Sequence, residues 1–443
     1  MAAEDVRYRQ STQYRLWSFS PVQLASTREQ TNALARSNIS ERLLSNPPPP
    51  LPAASLKPPP AAGAADPASG SNTPDRQAAV QQQQQHQQQT EPYTLPEFLT
   101  PAEELQLLNY YTVELLRAAN HFNLRSPMLA SAAVFLRRFY ATNSVMTYPP
   151  AEMLKTCLFF GCKAEGYYPN NERFAQQFPK TKGEGILAGE FLLCQGIRFA
   201  FDVKHPFRGL EGAVLELRRY GDVDSTRIND ASNRAKEILR FSPLVTDAYF
   251  HYTPSQIMLA ALSLADQDLA DRVLHETFHR PTQTEQKSYK SNSNSNSNSA
   301  SASTSEQRAA LVSTETRARV AEAVNACRDL LAKEPPERLT SYWDTPESNN
   351  IIKPLLKKLR KCRDPDRFNL VELQKAKREE ALRREEAEER KAAGGEKKTV
   401  EADGSVFGEA LGGEGGGGGG EGRDTKRRKT EGKGEDPFGG PLG

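Results

Sequence analysis

The stretch from Ser126 to Gly166 decides the fold of this chain, and it reads SPMLASAAVFLRRFYATNSVMTYPPAEMLKTCLFFGCKAEG. It contains two apolar segments, and proline lies in the expected first turn of each, where a missing N–H removes no helical hydrogen bond. Both segments are apolar on nearly all sides and contain Ala or Gly at short intervals, which is typical of helices buried in a bundle. The stretch therefore predicts two core helices joined by a short polar corner.

A second copy of this stretch lies 104 positions further along the chain, so that Met153 aligns with Ile257 and Leu158 with Leu262. Two copies predict one helical unit of roughly 100 residues used twice, a domain-sized repeat and not a solenoid period. Helical spacing of apolar residues predicts five helices in each unit and an all-α fold class. Besides the two core helices, the predicted helices span residues 101–122, 170–178, 182–197, 206–220, 225–241, 254–266, 268–279 and 317–333.

Composition sets the predicted domain boundaries. Three segments are too polar or too repetitive to bury a core: the Pro/Gln-rich insert 37–96, a Ser/Asn-rich insert at about 281–306, and the charged, Gly-rich tail 375–443. The first part of that tail, about 374–391, has the composition of a solvated helix held by charge pairs. The remaining segments are an aromatic patch with a helix at 1–36, the first unit at 97–203, the second at 204–336, and a C-terminal helix region at 337–374.

Charge and cysteine usage narrow the class of protein. The net charge is +2 with 26% charged residues, so no strong field favours nucleic-acid or membrane partners. No apolar run approaches 18 residues and the first ten residues lack an apolar leader, so we expect a soluble intracellular protein. The five cysteines form no CxxC pair, which favours reduced packing residues over a disulfide frame or a zinc site.

Six motifs spread over the predicted helical units resemble the cyclin family: WSFSPVQLA, RRFYATNSVMTYPP, CLFFGCKAEG, KHPFRGLEG, VTDAYFHYTPSQIML and KEPP. Within that family the chain is similar to the regulatory subunits of the CDK-activating kinase, of a fungal type with low-complexity inserts. The resemblance implies two consecutive cyclin-box units in a non-catalytic protein without a cofactor. It also implies three partners in the nucleus: a catalytic subunit of the cyclin-dependent kinase 7 type, a RING-finger assembly factor, and the core of general transcription factor IIH. Such a complex phosphorylates kinase activation loops and the C-terminal repeats of RNA polymerase II.

The resemblance implies a kinase-binding pair, Lys163 at the end of the third helix and Glu190 in the fifth. Without the resemblance, Lys163 is a cation at a helix C-terminus and Glu190 a surface residue. Two departures from the family pattern concern neighbouring contacts. LQLLN at Leu105–Asn109 replaces the substrate-docking patch of cell-cycle cyclins, and Ala164–Glu165–Gly166 replaces the acidic pair that follows the lysine.

Three further sequence patterns allow more than one functional interpretation. His275–Glu276–Thr277–Phe278–His279 matches HExxH, which on a helix can bind zinc for peptide hydrolysis, although Pro281 and the Ser/Asn insert follow at once. Paired cyclin folds also occur in DNA-binding factors that resemble transcription factor IIB, but no basic face or N-terminal zinc ribbon is visible. Protein-kinase motifs are missing. A basic run in the tail fits a nuclear-import signal or a solvated charge cluster; its residues are Lys426, Arg427, Arg428 and Lys429.

Overall fold

The computed structural model of the 443-residue chain describes residues 7–45, 94–279, 299–332 and 341–393. Every regular element within these ranges is a helix, which confirms the predicted all-α fold. The described residues up to Leu382 form one compact unit, and those from Arg383 to residue 393 belong to a second unit. No helix in the described ranges is long and apolar enough to span a membrane.

The N-terminal segment consists of helix α1 (Thr12–Trp17) and helix α2 (Pro21–Ser45). Trp17 is fully buried, and the Phe19 backbone N–H donates to the carbonyl oxygen of Phe250 at 2.8 Å. Through these contacts the aromatic patch packs onto a neighbouring helical unit. The predicted end of this segment at residue 36 is wrong, because α2 continues to Ser45. Ile39 and Leu43 lie one turn apart and are both buried, so this part of α2 does contribute to the core.

The first bundle is built around α4 (Ser126–Thr142) and α5 (Pro150–Ala164), the two helices that the sequence predicts as core. Every residue of α4 from Met128 to Ala141 is buried. A Cβ atom added to Gly161 of α5 would lie 2.8 Å from the Cβ of Ala132 in α4, so the two backbones are in direct contact. The helices of this bundle are α3 (Pro101–His121), α4 (Ser126–Thr142), α5 (Pro150–Ala164), α6 (Asn171–Ala175), α7 (Gly183–Ala188) and α8 (Glu190–Gly196).

The second bundle repeats the core pair of the first. Its helix α13 (Pro254–Ala265) is buried from Ile257 to Ser263. It packs against the amphipathic helix α10 (Ser225–Leu239), which buries Ile228 and Leu239. The prediction missed two short helices, α11 and α12, because each has only four residues and no periodic pattern. The bundle contains α9 (Phe207–Tyr220), α10 (Ser225–Leu239), α11 (Ser242–Val245), α12 (Ala248–His251), α13 (Pro254–Ala265), α14 (Gln267–His279) and α15 (Ser299–Ala332).

Three of these helices begin with the same local sequence, a Ser or Thr followed by Pro and, three residues after the first, by Gln or Glu. In α3 the Glu103 backbone N–H donates to Thr100 Oγ1 at 3.3 Å, while the Thr100 N–H donates to Glu103 Oε2 at 2.7 Å. Thr253 and Gln256 form the same reciprocal cap in α13, and Ser20 and Gln23 do so in α2. Each cap satisfies two backbone donors, and the proline supplies none, so the three starting points are fixed locally.

Two further predicted helix boundaries are wrong. The segment predicted as one helix over 182–197 is divided at Gly189, where a Cβ would lie 2.6 Å from Thr156 Oγ1. The helix predicted over 317–333 begins at Ser299, so α15 includes the last residues of the predicted Ser/Asn-rich insert. The C-terminal helix region contains α16 (Pro346–Cys362), which includes Pro354. The last described helix, α17 (Leu370–Ala393), is exposed from Lys375 to residue 388, as its charged composition predicts. Residues 46–93, 280–298 and 394–443 of the predicted low-complexity segments lie outside the described residues.

Candidate functional site

The structure brings Lys163 and Glu190 together. Lys163 lies in the last turn of α5, and Glu190 is the first residue of α8. The Lys163 Nζ atom is 2.9 Å from Glu190 Oε1 and 3.1 Å from Oε2. The two side chains retain 32% and 19% of their exposure, so solvent or a partner can reach them. An ammonium has three donors and each carboxylate oxygen can accept twice. The pair therefore keeps hydrogen-bonding capacity after its internal contact is made.

The break at Gly189 sets the position of Glu190. The Thr156 hydroxyl of α5 donates to the carbonyl oxygen of Ile186 in α7 at 3.0 Å, which ties α7 to the middle of α5. Since a side chain at residue 189 would collide with Thr156, glycine permits this close approach. Helix α8 then starts at Glu190 on the same side of α5 as Lys163.

Three exposed phenylalanines of α8 and the following corner form what we call the aromatic surface: Phe191, Phe199 and Phe201. Their exposures are 60%, 55% and 38%. The ring of Phe201 contacts that of Phe160 at a centroid distance of 5.2 Å, and Phe160 lies three residues before Lys163 on α5. A group of exposed large aromatic side chains is a frequent mark of a protein interface. The sequence predicts no helix over residues 198–204 and does not indicate this surface, although Phe199 and Phe201 are set among polar residues there.

A partly buried charge cluster joins the N-terminal segment to both bundles. Asp247, which precedes α12, accepts hydrogen bonds from Arg28 of α2 at 2.9 and 2.7 Å and from Arg137 of α4 at 2.7 Å. Burial alone would raise the pKa of the Asp247 carboxyl, but the hydrogen bonds and positive charges of the two arginines hold that pKa well below its ordinary value. The VTDAY motif therefore provides the carboxylate that fixes the bundles to each other.

The HPFRGLEG motif makes a second connection between the bundles. His205 Nε2 lies 2.9 Å from Ser131 Oγ of α4, and His205 Nδ1 lies 3.0 Å from the hydroxyl oxygen of Tyr249. Burial lowers the pKa of His205 below its ordinary value, so the ring is neutral at pH 7. Ser131 also donates to Glu165 Oε1 at 2.6 Å, which gives the departure at Ala164–Glu165–Gly166 an internal structural role.

The other predicted sites have different outcomes. His275 and Glu276 lie on α14, and Glu276 Oε2 is 3.4 Å from the hydroxyl of Tyr220; the side chain of His279 is outside the described part. Within the described ranges, no group of three or more His, Cys, Asp and Glu residues is arranged to hold a metal ion. The basic run Lys426–Lys429 is outside the described residues. Four cysteines are buried and Cys194 is partly buried, and burial raises the pKa of the Cys162 thiol to about 11.

Two helical bundles with matching core pairs, together with an N-terminal segment that contacts both, form the arrangement of a double cyclin fold. A family model described as the cyclin C-terminal domain matches residues 205–332, which is the second bundle. Cyclin mcs2 of Schizosaccharomyces pombe is 30% identical over 257 residues, a match that covers 58% of this chain and 68% of that protein. The chain belongs to the cyclin family.

Other similarities place the chain within the family. Cyclin CCL1 of Saccharomyces cerevisiae is 31% identical over 278 residues, or 62% of each protein. Cyclin-H of Xenopus laevis is 32% identical over 173 residues, or 37% of this chain and 53% of that protein. A chain in the structure of the CAK complex from Chaetomium thermophilum bound to ATP-γ-S is 49% identical with a TM-score of 0.66, and the match covers 86% of this chain and 96% of that one. The chain thus spans about half to two thirds of the length of these curated relatives.

Proposed function

We propose that the chain is the cyclin H-type regulatory subunit of a CDK-activating kinase, and that it binds and activates a catalytic subunit of the cyclin-dependent kinase 7 type. The Lys163–Glu190 pair next to the aromatic surface carries this proposal. The similarity to a chain of the Chaetomium thermophilum CAK complex at 49% identity supports it. In this role the chain does no chemistry of its own, and it acts by fixing the conformation of the kinase.

The two parts of the site have different tasks. The aromatic surface provides apolar area, and exposed aromatic anchors supply most of the free energy of binding at protein interfaces. The Lys163–Glu190 pair is partly exposed and contributes little to stability on its own. Its remaining donor and acceptor positions bind backbone groups of the partner and so fix the register of the two proteins.

The chain activates the kinase through the kinase element that it binds, the αC helix. A protein kinase is active when the lysine of its third strand pairs with the glutamate of its αC helix and when its metal-binding aspartate is in place. A cyclin that packs against the αC helix holds it in the inward position and shifts the kinase toward this state. The substrates we propose are kinase activation loops and the C-terminal repeats of RNA polymerase II, and we propose a RING-finger assembly factor and the transcription factor IIH core as further nuclear partners.

Equilibrium binding to the purified catalytic subunit tests the proposal. We expect Lys163→Ala and Glu190→Ala each to raise the dissociation constant by about tenfold, equivalent to about 1.4 kcal/mol. Lys155→Ala is the matched control, because Lys155 Nζ forms a similar ion pair with Glu152 Oε1 at 2.9 Å on the same helix. Equal losses for the site variants and the control, or no loss for any of them, would contradict the proposed site.

A further inference from the structure

The corner that follows α8, which we define as residues 198–204, has an unusual backbone. Arg198 and Phe199 both adopt left-handed conformations, with φ of 56° and 54°, and neither is glycine. A left-handed conformation is unfavourable for an ordinary side chain and rare for a bulky one. Such residues persist only where the surrounding structure fixes them, and they are concentrated at functional sites. Hydrogen bonds at the end of α8 hold part of the corner, as the Phe199 N–H donates to the carbonyl oxygen of Cys194 at 2.8 Å. Contacts from outside this segment add to that local constraint.

The conformation of this corner decides where two parts of the aromatic surface point. Phe199 is one of the two left-handed residues, and Phe201 follows two positions later. Their rings contact each other at a centroid distance of 6.1 Å, and Phe201 also contacts Phe160 beneath it. A change of φ at Arg198 or Phe199 would redirect both side chains, since a backbone rotation moves everything beyond it.

The N-terminal segment supplies a further constraint. Gln13 Oε1 accepts a hydrogen bond from the Lys204 backbone N–H at 2.7 Å, which fixes the far end of the corner. The guanidinium groups of Arg198 and Arg138 each lie 5.5 Å from the centre of the Trp17 ring. Arg138 Nη1 in turn donates to the carbonyl oxygen of Ala200 at 3.1 Å. The corner is thus held at residues 198, 200 and 204 by contacts that centre on α1.

Gln13 and Trp17 have no exposed surface, and Arg138 is only 1% exposed. A partner protein that binds the aromatic surface therefore meets Phe199 and Phe201 but does not reach Gln13 or Trp17. Gln13 and Trp17 can thus act on binding through the corner without touching the partner.

We propose that Gln13 and Trp17 are positioning residues, which hold the left-handed corner so that Phe199 and Phe201 are pre-arranged for the kinase. This inference rests on the proposed function for the identity of the partner. It assigns to α1 a control of kinase affinity that requires no contact between α1 and the kinase. Pre-arrangement raises affinity because less ordering remains to be done when the complex forms.

A double-mutant cycle in the full chain tests this inference. Gln13→Leu removes the acceptor of the Lys204 N–H and keeps a side chain of similar size. We expect it to weaken binding of the catalytic subunit by about tenfold in the wild-type background. In the Phe199→Ala/Phe201→Ala background it should weaken binding by less than about twofold, because residues that act through one another are not additive. Gln23→Leu is the matched control, since Gln23 Oε1 also accepts a backbone N–H, that of Ser20 at 2.9 Å, away from the corner.

Hydrogen exchange of the free chain gives a readout that needs no kinase. We expect Gln13→Leu to accelerate amide exchange in residues 198–204 and Gln23→Leu to leave it unchanged. Where Gln13→Leu fails to fold, Trp17→Phe replaces it in both measurements, with the same direction of effect. An equal loss of affinity in both backgrounds, or unchanged exchange in residues 198–204, would overturn the inference. If the wild-type chain binds no kinase, the proposed function fails, and the exchange data still decide whether α1 holds the corner.

Discussion

Replacing Asp247 by alanine should destabilise the chain strongly, because this carboxylate joins α2 to both bundles. Asp247 accepts three hydrogen bonds from Arg28 and Arg137, and the side-chain exposures of these residues are 22%, 15% and 5%. A hydrogen bond to a charged group contributes about 1.5–3 kcal/mol, and removing one partner of a buried charge pair costs about 3–5 kcal/mol. Since Asp247 is partly exposed, we expect Asp247→Ala to lower the free energy of unfolding by about 3 kcal/mol.

Urea unfolding followed by circular dichroism measures this difference, and its pH dependence tests the cause. The pKa of Asp247 is depressed in the folded chain, so its contribution is present above the unfolded pKa of about 4 and is lost as the pH falls toward the folded pKa. The difference between wild type and Asp247→Ala should therefore be constant from about pH 5 to pH 8 and shrink below about pH 4.

Asp268→Ala is the control for this experiment. Asp268 pairs with Arg227 at 2.9 Å, but its side chain is 83% exposed, so its loss should leave the free energy of unfolding unchanged within error. A loss below about 1 kcal/mol for Asp247→Ala at pH 7, or a difference that persists undiminished at pH 3, would refute the reasoning.

Two other substitutions test the packing and the electrostatics of the first bundle. Gly161→Ala should lower the free energy of unfolding by about 2 kcal/mol, because its Cβ would lie 2.8 Å from that of Ala132. Gly212→Ala is the control: an added Cβ has no atom within 4 Å there, so the change should raise the free energy of unfolding by up to about 1 kcal/mol. Thermal unfolding of the two variants measures both effects. Burial raises the pKa of Glu104 to about 7, although hydrogen bonds from Ser144 and Asn32 act in the opposite direction. The stability that the protonated Glu104 contributes is therefore fully present below about pH 4 and is lost as the pH rises through 7. Wild type should then lose about 2 kcal/mol relative to Glu104→Gln between pH 5 and pH 8, and parallel stability curves for the two proteins would exclude this account.

The core helices were predictable because their residues determine them locally. Pro127 and Pro150 lie in the first turns of α4 and α5, and the apolar pattern of these segments matches the burial of α4 from Met128 to Ala141 and of nine of the fifteen residues of α5. The repeat at a shift of 104 predicted the matching helix pair α10 and α13 for the same reason. The predicted helix boundaries were wrong where tertiary contacts determine them. Helix α2 extends to Ser45 because Ile39 and Leu43 pack into the core. The predicted helix 182–197 is divided because Thr156 lies close to Gly189.

The candidate site was predictable only in part. Lys163 and Glu190 came from a resemblance to a family, and the structure adds the distance of 2.9 Å between them. Phe199 and Phe201 were missed because their exposure depends on a left-handed corner, which ordinary residue preferences do not indicate. The Arg28–Asp247–Arg137 cluster was missed for another reason, since its members lie 219 and 110 positions from Asp247 and no local pattern links them.

The most direct test of the central claim is the phosphorylation rate of the purified catalytic subunit, measured with a peptide of the RNA polymerase II repeat and with a kinase activation-loop peptide. We expect the wild-type chain to raise both rates by at least about tenfold. Lys163→Ala/Glu190→Ala should remove most of this gain, while Lys155→Ala should retain it. Rates that do not change when the wild-type chain is added, at concentrations where the two proteins form a complex, would contradict the claim that this chain is an activating cyclin.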